Sequence, residues 1–261
     1  MGDALAGRVA LVTGASRGIG AAIALRFAAE GARVAIVARS LEPGSGGHLA
    51  GSLRETAGAI AAAGGIAVPI VADLSDPNCD RNAIVTCAAE ELGPIDVLVN
   101  NAAACFYLSI DETSERRLRV AYEVNVITPY LLTKAVVPGM RERRAGWIVN
   151  ITSAIVDTDM LDSPQQARSS TYAPSKAALD RLTVSFATEL RGSGIAVNAL
   201  APERAVATEG ATAVMDLPPE WCEPVETMAA AAVALAHCDP AHDNGLVVRS
   251  VPYLRARGLL P

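Results

Sequence analysis

The chain has 261 residues, enough for one large α/β domain, and 51% of them are apolar but only 4% aromatic, so its core must be aliphatic and alanine-rich. A net charge of −6 argues against the basic face that nucleic acid or an acidic membrane surface would require. Five scattered cysteines without a Cys-x-x-Cys pair, and three histidines that do not cluster with acids, leave no disulfide framework and no metal site; reduced thiols in a cytoplasmic protein are expected.

In chain order, residues 8–13 read as a buried strand that runs into a helix over 18–30, ended by Gly31. A strand over 33–38 follows, then a Gly/Pro-rich loop at 41–51 that is long for a strand-to-helix connection. Helices are expected over 53–63, 81–92, 115–140 and 172–191, and strands over 66–71, 95–99, 147–151, 195–200 and 246–248. The alanine-rich run 228–235 reads as a helix core, and no apolar stretch reaches the roughly 20 residues of a membrane span. Regular strand–helix alternation implies parallel strands joined by right-handed crossovers. The fold class is therefore α/β: a single doubly wound, mostly parallel, seven-stranded sheet with helices on both faces. No linker divides it, so residues 1–261 are expected to form one domain.

The first strand leads directly into Thr13-Gly-Ala-Ser-Arg-Gly-Ile-Gly20. Glycines at 14, 18 and 20 allow a tight turn and let backbone approach a pyrophosphate at the N-terminus of a helix, where free N–H groups and the dipole favour anions. A glycine pattern alone is weak; its place between the first strand and the first helix makes it a dinucleotide site, with Gly14, Ser16, Arg17, Gly18, Ile19 and Gly20 as candidate contacts. The second strand ends at Ala38, where an acid would take the ribose hydroxyls of NAD, and Arg39 follows. With Arg17 and Arg39 present and no carboxylate there, NADP(H) is favoured over NAD(H).

The chain draws its positive charge from twenty arginines and only two lysines, Lys134 and Lys176. Lys176 follows Tyr172 by four residues, which puts both on one helix face. A half-buried ammonium beside a phenol is expected to lower the phenol from its ordinary value of about 10, giving a general acid/base for carbonyl and alcohol chemistry. The spacing by itself arises often by chance; the dinucleotide loop upstream gives it weight.

With these residues in place the chain resembles the short-chain dehydrogenase/reductase family in its compact, single-domain, Rossmann-type branch. The likeness runs nearly end to end, through Thr13–Gly20, Ala72-Asp-Leu74, Val99-Asn-Asn-Ala-Ala103, Asn125, Asn150-Ile-Thr-Ser153, Tyr172–Lys176 and Val197-Asn-Ala-Leu-Ala-Pro202. That resemblance implies that Tyr172 exchanges the substrate proton and Lys176 lowers its pKa and holds the nicotinamide ribose. It further implies that Ser153 bonds the substrate oxygen and Asn125 holds a water linking Lys176 to solvent. Asp73 and Leu74 would contact adenine, Asn100 and Asn101 would lie beside the cofactor, and Val206 and Thr208 near its carboxamide. A small-molecule alcohol or carbonyl substrate follows, as does a homodimer or homotetramer paired through the helices at 115–140 and 172–191. Residues 41–51 with Gly64-Gly65, and the tail 223–228, resemble more weakly the hydroxysteroid dehydrogenase-like subgroup.

Two departures bear on activity. Ser153 and Tyr172 stand nineteen residues apart, farther than that family usually sets them, across a loop carrying Asp157, Asp159 and Asp162. Thr152, Ser163, Ser169 and Ser170 are rival hydroxyls, but only Ser153 directly follows the strand. The usual Pro-Gly after the sixth strand is here Pro202-Glu203, which puts a carboxylate near the nicotinamide. A catalytically weak nucleotide-binding sensor therefore stands as the alternative reading. Residues 208–223, with Met215 and Trp221, are expected to form a short lid over an apolar pocket, with plain core or interface packing the competing explanation for both side chains.

Overall fold

The structure is a computed structural model that describes residues 2–45, 49–157 and 166–260. Seven parallel strands lie in one sheet: β1 (Val9–Thr13), β2 (Arg33–Ala38), β3 (Ile66–Val71), β4 (Val97–Asn100), β5 (Gly146–Ile151), β6 (Ile195–Ala201) and β7 (Val247–Arg249). Their order is β3-β2-β1-β4-β5-β6-β7, so the direction of winding reverses between β1 and β4. A doubly wound sheet opens its ligand crevice at that reversal, beyond the carboxyl ends of the strands.

The inner strands are mostly apolar because both of their faces are covered, with Asn100, Asn150 and Asn198 among the buried polar exceptions. Ala10 and Val12 of β1 face one core and Val9 and Leu11 the other, and β2 divides Val34 and Ile36 from Ala35 and Val37 in the same way. On the first face pack α1 (Gly18–Ala29), α2 (Leu53–Ala62), α8 (Val225–Ala236) and α9 (Ser250–Ala256). On the second pack α3 (Arg81–Leu92), α5 (Thr128–Arg143) and α6 (Tyr172–Glu189). Alanines let the α8 backbone come close: Ala231, Ala232 and Ala236 are fully buried. Pro69 lies within β3, which a strand at the sheet edge tolerates.

Local signals fix several helix ends. Ser52 caps α2, accepting from the Glu55 N–H while its hydroxyl donates to the Glu55 carboxylate at 2.8 Å. Asp80 caps α3 on the N–H groups of Asn82 and Ala83. The expected long helix over 115–140 runs without a break, but with a π-turn (Glu123–Ile127) between its two α-helical parts, α4 (Glu115–Tyr122) and α5. One residue is inserted into the helical ladder there, and hydropathy does not register that insertion. A final short helix, α9, follows β7 where the sequence reading had none.

Candidate active site

At the carboxyl ends of β1, β4, β5 and β6 opens a cavity of about 950 Å³. Its first wall is the turn after β1. Gly14 and Gly18 hold positive φ (66° and 55°), and a Cβ on Gly20 would stand 2.4 Å from the Gly14 carbonyl oxygen and 2.3 Å from Asn101 Nδ2. Only glycine fits there, and the cradle brings the open N-terminus of α1 to the cavity without a side-chain cap. Thr13 locks the turn to β4: its hydroxyl accepts from the N–H groups of Asn101 and Ala102, both at 3.0 Å, and Asn101 Nδ2 donates back to the Thr13 carbonyl at 2.8 Å.

The wall around Arg17 differs from the sequence reading in one respect. Arg17 does not offer its guanidinium freely: Nε donates to the Ala50 carbonyl at 2.6 Å and Nη2 to those of Gly51 and Leu49 at 3.0 and 3.3 Å. The 49–51 segment is drawn onto the glycine turn so tightly that Gly51, at φ 96°, would place a Cβ 2.5 Å from the Ser16 carbonyl oxygen. Arg39, exposed at the end of β2, lines the cavity with Asp73, Leu74 and Ser75. The Asp73 carboxyl lies below its ordinary value. Burial pushes it up, but the hydroxyl and N–H of Ser75, with Arg39 and Arg81, outweigh that.

At the opposite end the structure brings Ser153, Tyr172 and Lys176 together on the cavity wall. Ser153 follows β5, and its oxygen accepts from the Ile155 N–H at 3.3 Å as it caps a single 3-10 turn (Ala154–Val156). Tyr172 opens α6, and Lys176, 1% exposed, sends Nζ to the Ile151 carbonyl at 2.7 Å, 5.8 Å from the Tyr172 ring centroid. Burial pushes the Tyr172 phenol above its ordinary value, Cys105 adds to the rise, and only a hydrogen bond with Ser153 opposes it. The expected lowering by Lys176 is not seen: the ammonium bonds the Ile151 carbonyl, and burial carries the phenol upward. Burial also draws Lys176 itself down to about 8, against upward pulls from Asp180 and Cys105.

Asn125 is buried in the π-turn with its amide engaged: Oδ1 accepts from the Ala104 N–H, while Nδ2 donates to the Ala104 carbonyl and to Ser175 Oγ, each at 2.9 Å. Ser175 in turn donates to the Tyr172 carbonyl at 2.7 Å. Through these bonds Asn125 ties the segment after β4 to the first turn of α6. Asn100 also departs from its expected place, since it does not line the cavity; its Nδ2 donates to Asn150 Oδ1 at 2.8 Å between β4 and β5. Asn101 lines it.

The remaining wall is apolar. Phe106, Tyr107, Val206, Met215, Leu217 and Trp221 line it, so Met215 and Trp221 face the cavity. Tyr107 meets Tyr172 edge-on with centroids 6.1 Å apart, a neighbour the sequence reading did not single out, and burial raises its phenol as well. Thr208 caps a short helix, α7 (Glu209–Thr212), and its methyl would stand 3.0 Å from a Cβ on Gly18, so the start of this segment rests on the glycine turn. Glu203 is exposed at the rim and has no positive φ; the turn accepts it without a left-handed residue. Asp159, Asp162 and Ser163 lie outside the described residues. Among the described residues no His/Cys/Asp/Glu group could hold a metal ion, and no helix is long and apolar enough to cross a membrane.

Known proteins fit this geometry. The profile of the family described as short chain dehydrogenase matches residues 8–216. A short chain dehydrogenase of Pseudocercospora fijiensis is 39% identical over 76% of this chain and 60% of its own length. Hydroxysteroid dehydrogenase-like protein 2 of Mus musculus is 37% identical over 82% of this chain and 41% of its own, so the chain spans less than two thirds of either relative. Among solved structures, a Xanthomonas campestris protein assigned as a dehydrogenase superposes with a TM-score of 0.86 at 29% identity, covering 98% of this chain and 91% of that one. A metagenomic short-chain oxidoreductase in complex with NADP gives 0.76 at 31% identity (94% and 97% covered). A short chain dehydrogenase from Mycobacterium paratuberculosis bound to NAD gives 0.80 at 28% (94% and 96%).

Proposed function

This chain belongs to the short-chain dehydrogenase/reductase family, and we propose that within it the protein interconverts a secondary alcohol and a ketone, with Tyr172 as general acid and base and NADP(H) as the favoured nucleotide. One observation carries the reading: a glycine cradle that admits no Cβ and the trio Ser153, Tyr172 and Lys176 open into the same cavity. The cradle fits a dinucleotide, because Gly14, Gly18 and Gly20 bring backbone and the free N–H groups of α1 to where a pyrophosphate would lie. Asp73 and Leu74 would hold the adenine end, and Val206 and Thr208 the carboxamide end. A bound nicotinamide supplies the hydride.

The protein's own part is orientation and proton transfer. Ser153 donates to the substrate oxygen and fixes its direction. Tyr172, kept protonated by burial, gives its proton to that oxygen in the reductive direction and recovers one from the alcohol in the reverse. Lys176, anchored on the Ile151 carbonyl, puts positive charge beside the phenolate that remains. Asn125 and Ser175 hold the start of α6 in place for this exchange. The apolar wall around Met215 and Trp221 supports a small organic ketone or alcohol as substrate. A homodimer or homotetramer belongs to the same proposal, supported by the exposed Leu118, Tyr122, Ile127 and Tyr130 along α4 and α5.

Replacing Tyr172 by Phe removes the proton and leaves the cavity otherwise intact. Turnover of a ketone substrate is expected to fall by roughly 10²–10⁴, while NADPH affinity measured by titration changes by less than about threefold. A variant that keeps its turnover refutes the assignment.

A further inference from the structure

The turn after β6 lines the cavity with Pro202, Glu203, Arg204, Ala205 and Val206, and one carboxylate holds its path. Glu223, at the far end of the lid, is 6% exposed. Its Oε2 accepts from the N–H groups of Glu203 and Arg204, both at 3.1 Å, and its Oε1 accepts from the Ser250 hydroxyl at 2.6 Å. Ser250, fully buried at the start of α9, also accepts from the Glu203 N–H at 3.1 Å. Backbone completes the tie: the Ala205 N–H donates to the Trp221 carbonyl at 3.1 Å and the Glu223 N–H to the Ala205 carbonyl at 2.8 Å.

The lid thus leaves and returns through one clamp, with the carboxylate at its centre. No residue of this turn has positive φ, so its direction is imposed by hydrogen bonds where a glycine could have supplied it. Backbone pairing alone would join the two ends. The carboxylate adds fixed directions for the N–H groups of Glu203 and Arg204, and of these two only the Glu203 N–H has a second acceptor, Ser250.

We propose that Glu223 is a positioning residue for the nicotinamide end of the nucleotide site: it sets the course of residues 203–206 and fixes the foot of the lid to α9. The proposal rests on the nucleotide-binding reading above. It does not touch the adenine end, which β2, β3 and the glycine turn build.

That separation gives the test. Trp221 stands on the lid, 56% exposed, and tryptophan emission can report ligand binding. Wild type, Glu223→Ala, Glu223→Gln and Ser250→Ala are titrated with NADP⁺ and with 2′-phospho-ADP-ribose, which lacks only the nicotinamide; NAD⁺ and ADP-ribose form a second pair. Glu223→Ala is expected to weaken NADP⁺ roughly tenfold and the fragment less than about twofold, because the unsatisfied donors lie at one end of the site. Glutamine can accept from both N–H groups and donate to Ser250, so Glu223→Gln should stay within about threefold for both ligands. Ser250→Ala, which removes one hydroxyl, should weaken NADP⁺ selectively by about threefold, and it carries the test if Glu223→Ala does not fold. Equal loss for both ligands, no loss, or a Gln variant as damaged as the Ala variant overturns the proposal. A wild type that binds neither dinucleotide overturns the nucleotide reading and the clamp with it, whereas failure in the variants alone overturns only the clamp.

Discussion

Keeping a lysine charged at 1% exposure is costly, and the structure offsets that cost only in part, through the Ile151 carbonyl and the nearby Asp180. The consequence is a pH dependence with a definite sign. Lys176 titrates at about 8 in the folded chain and at about 10.4 when unfolded. Between those values the unfolded state holds the extra proton, so the Lys176 contribution to stability rises with pH. Below pH 8 both states are protonated and the desolvation penalty is felt in full. Chemical denaturation of wild type and Lys176→Met should therefore show wild type gaining on the order of 1 kcal/mol relative to the variant between pH 8 and 10. A constant difference would contradict a buried, depressed ammonium. Tyr172 works in the opposite sense: its phenol is raised by burial, so above the unfolded value near 10 the unfolded chain loses the proton first and stability falls as the pH rises. Arg39 carries a second residue-scale prediction. With Arg17 committed to three carbonyls, it is the guanidinium left to meet a 2′-phosphate. Arg39→Ala should cut the NADPH-to-NADH preference in kcat/KM by roughly tenfold; wild-type kinetics that favour NADH would remove the basis for NADP.

The element that most separates this site from a plain doubly wound sheet is the π-turn between α4 and α5. Its insertion turns Asn125 inward, and a buried arginine braces it from outside. Arg81, at the start of α3, donates to the Glu123 carboxylate at 2.7 Å and to the Leu74 carbonyl at 3.1 Å, joining the segment after β3 to the π-turn. None of this was legible in the sequence, because a helix with one extra residue keeps its hydropathy pattern and Arg81 reads as an ordinary surface charge. Asn100 shows the same limit: a strand-end asparagine can face the cavity or the neighbouring strand, and the parallel register pairs it with Asn150. Elements such as residues 33–38, 66–71 and 81–92 were legible to their ends, since glycines and other turn residues bound them. The outer face of the same helices bears on assembly. Leu118, Tyr122, Ile127 and Tyr130 are each more than a third exposed, an apolar stripe that a second copy would cover. Sedimentation is expected to report a dimer or tetramer at micromolar concentration, and a monomer would contradict that part of the proposal.

On the scale of the whole molecule, the sheet order brings into one crevice motifs that are far apart in the chain. Reversal between β1 and β4 sets the glycine turn beside Asn101, and the β5–β6 pairing sets Ser153 beside the Pro202 turn. The sequence carried the topology because strand–helix alternation admits few other arrangements. The clamp at Glu223 was not readable, since its partners are two backbone N–H groups and a serine 27 residues on. Glu203 is exposed and lines the cavity without positive φ, so its turn needs no glycine. The central claim is that the cavity performs alcohol–ketone chemistry and does more than hold a nucleotide. It is tested most directly by incubating the protein with NADPH deuterated at the transferable position and a panel of ketones, and reading the products by mass spectrometry. One deuterium at the carbinol carbon, lost in Tyr172→Phe, is the predicted result; saturable NADPH binding with no labelled alcohol from any ketone would contradict it and leave a nucleotide-binding sensor.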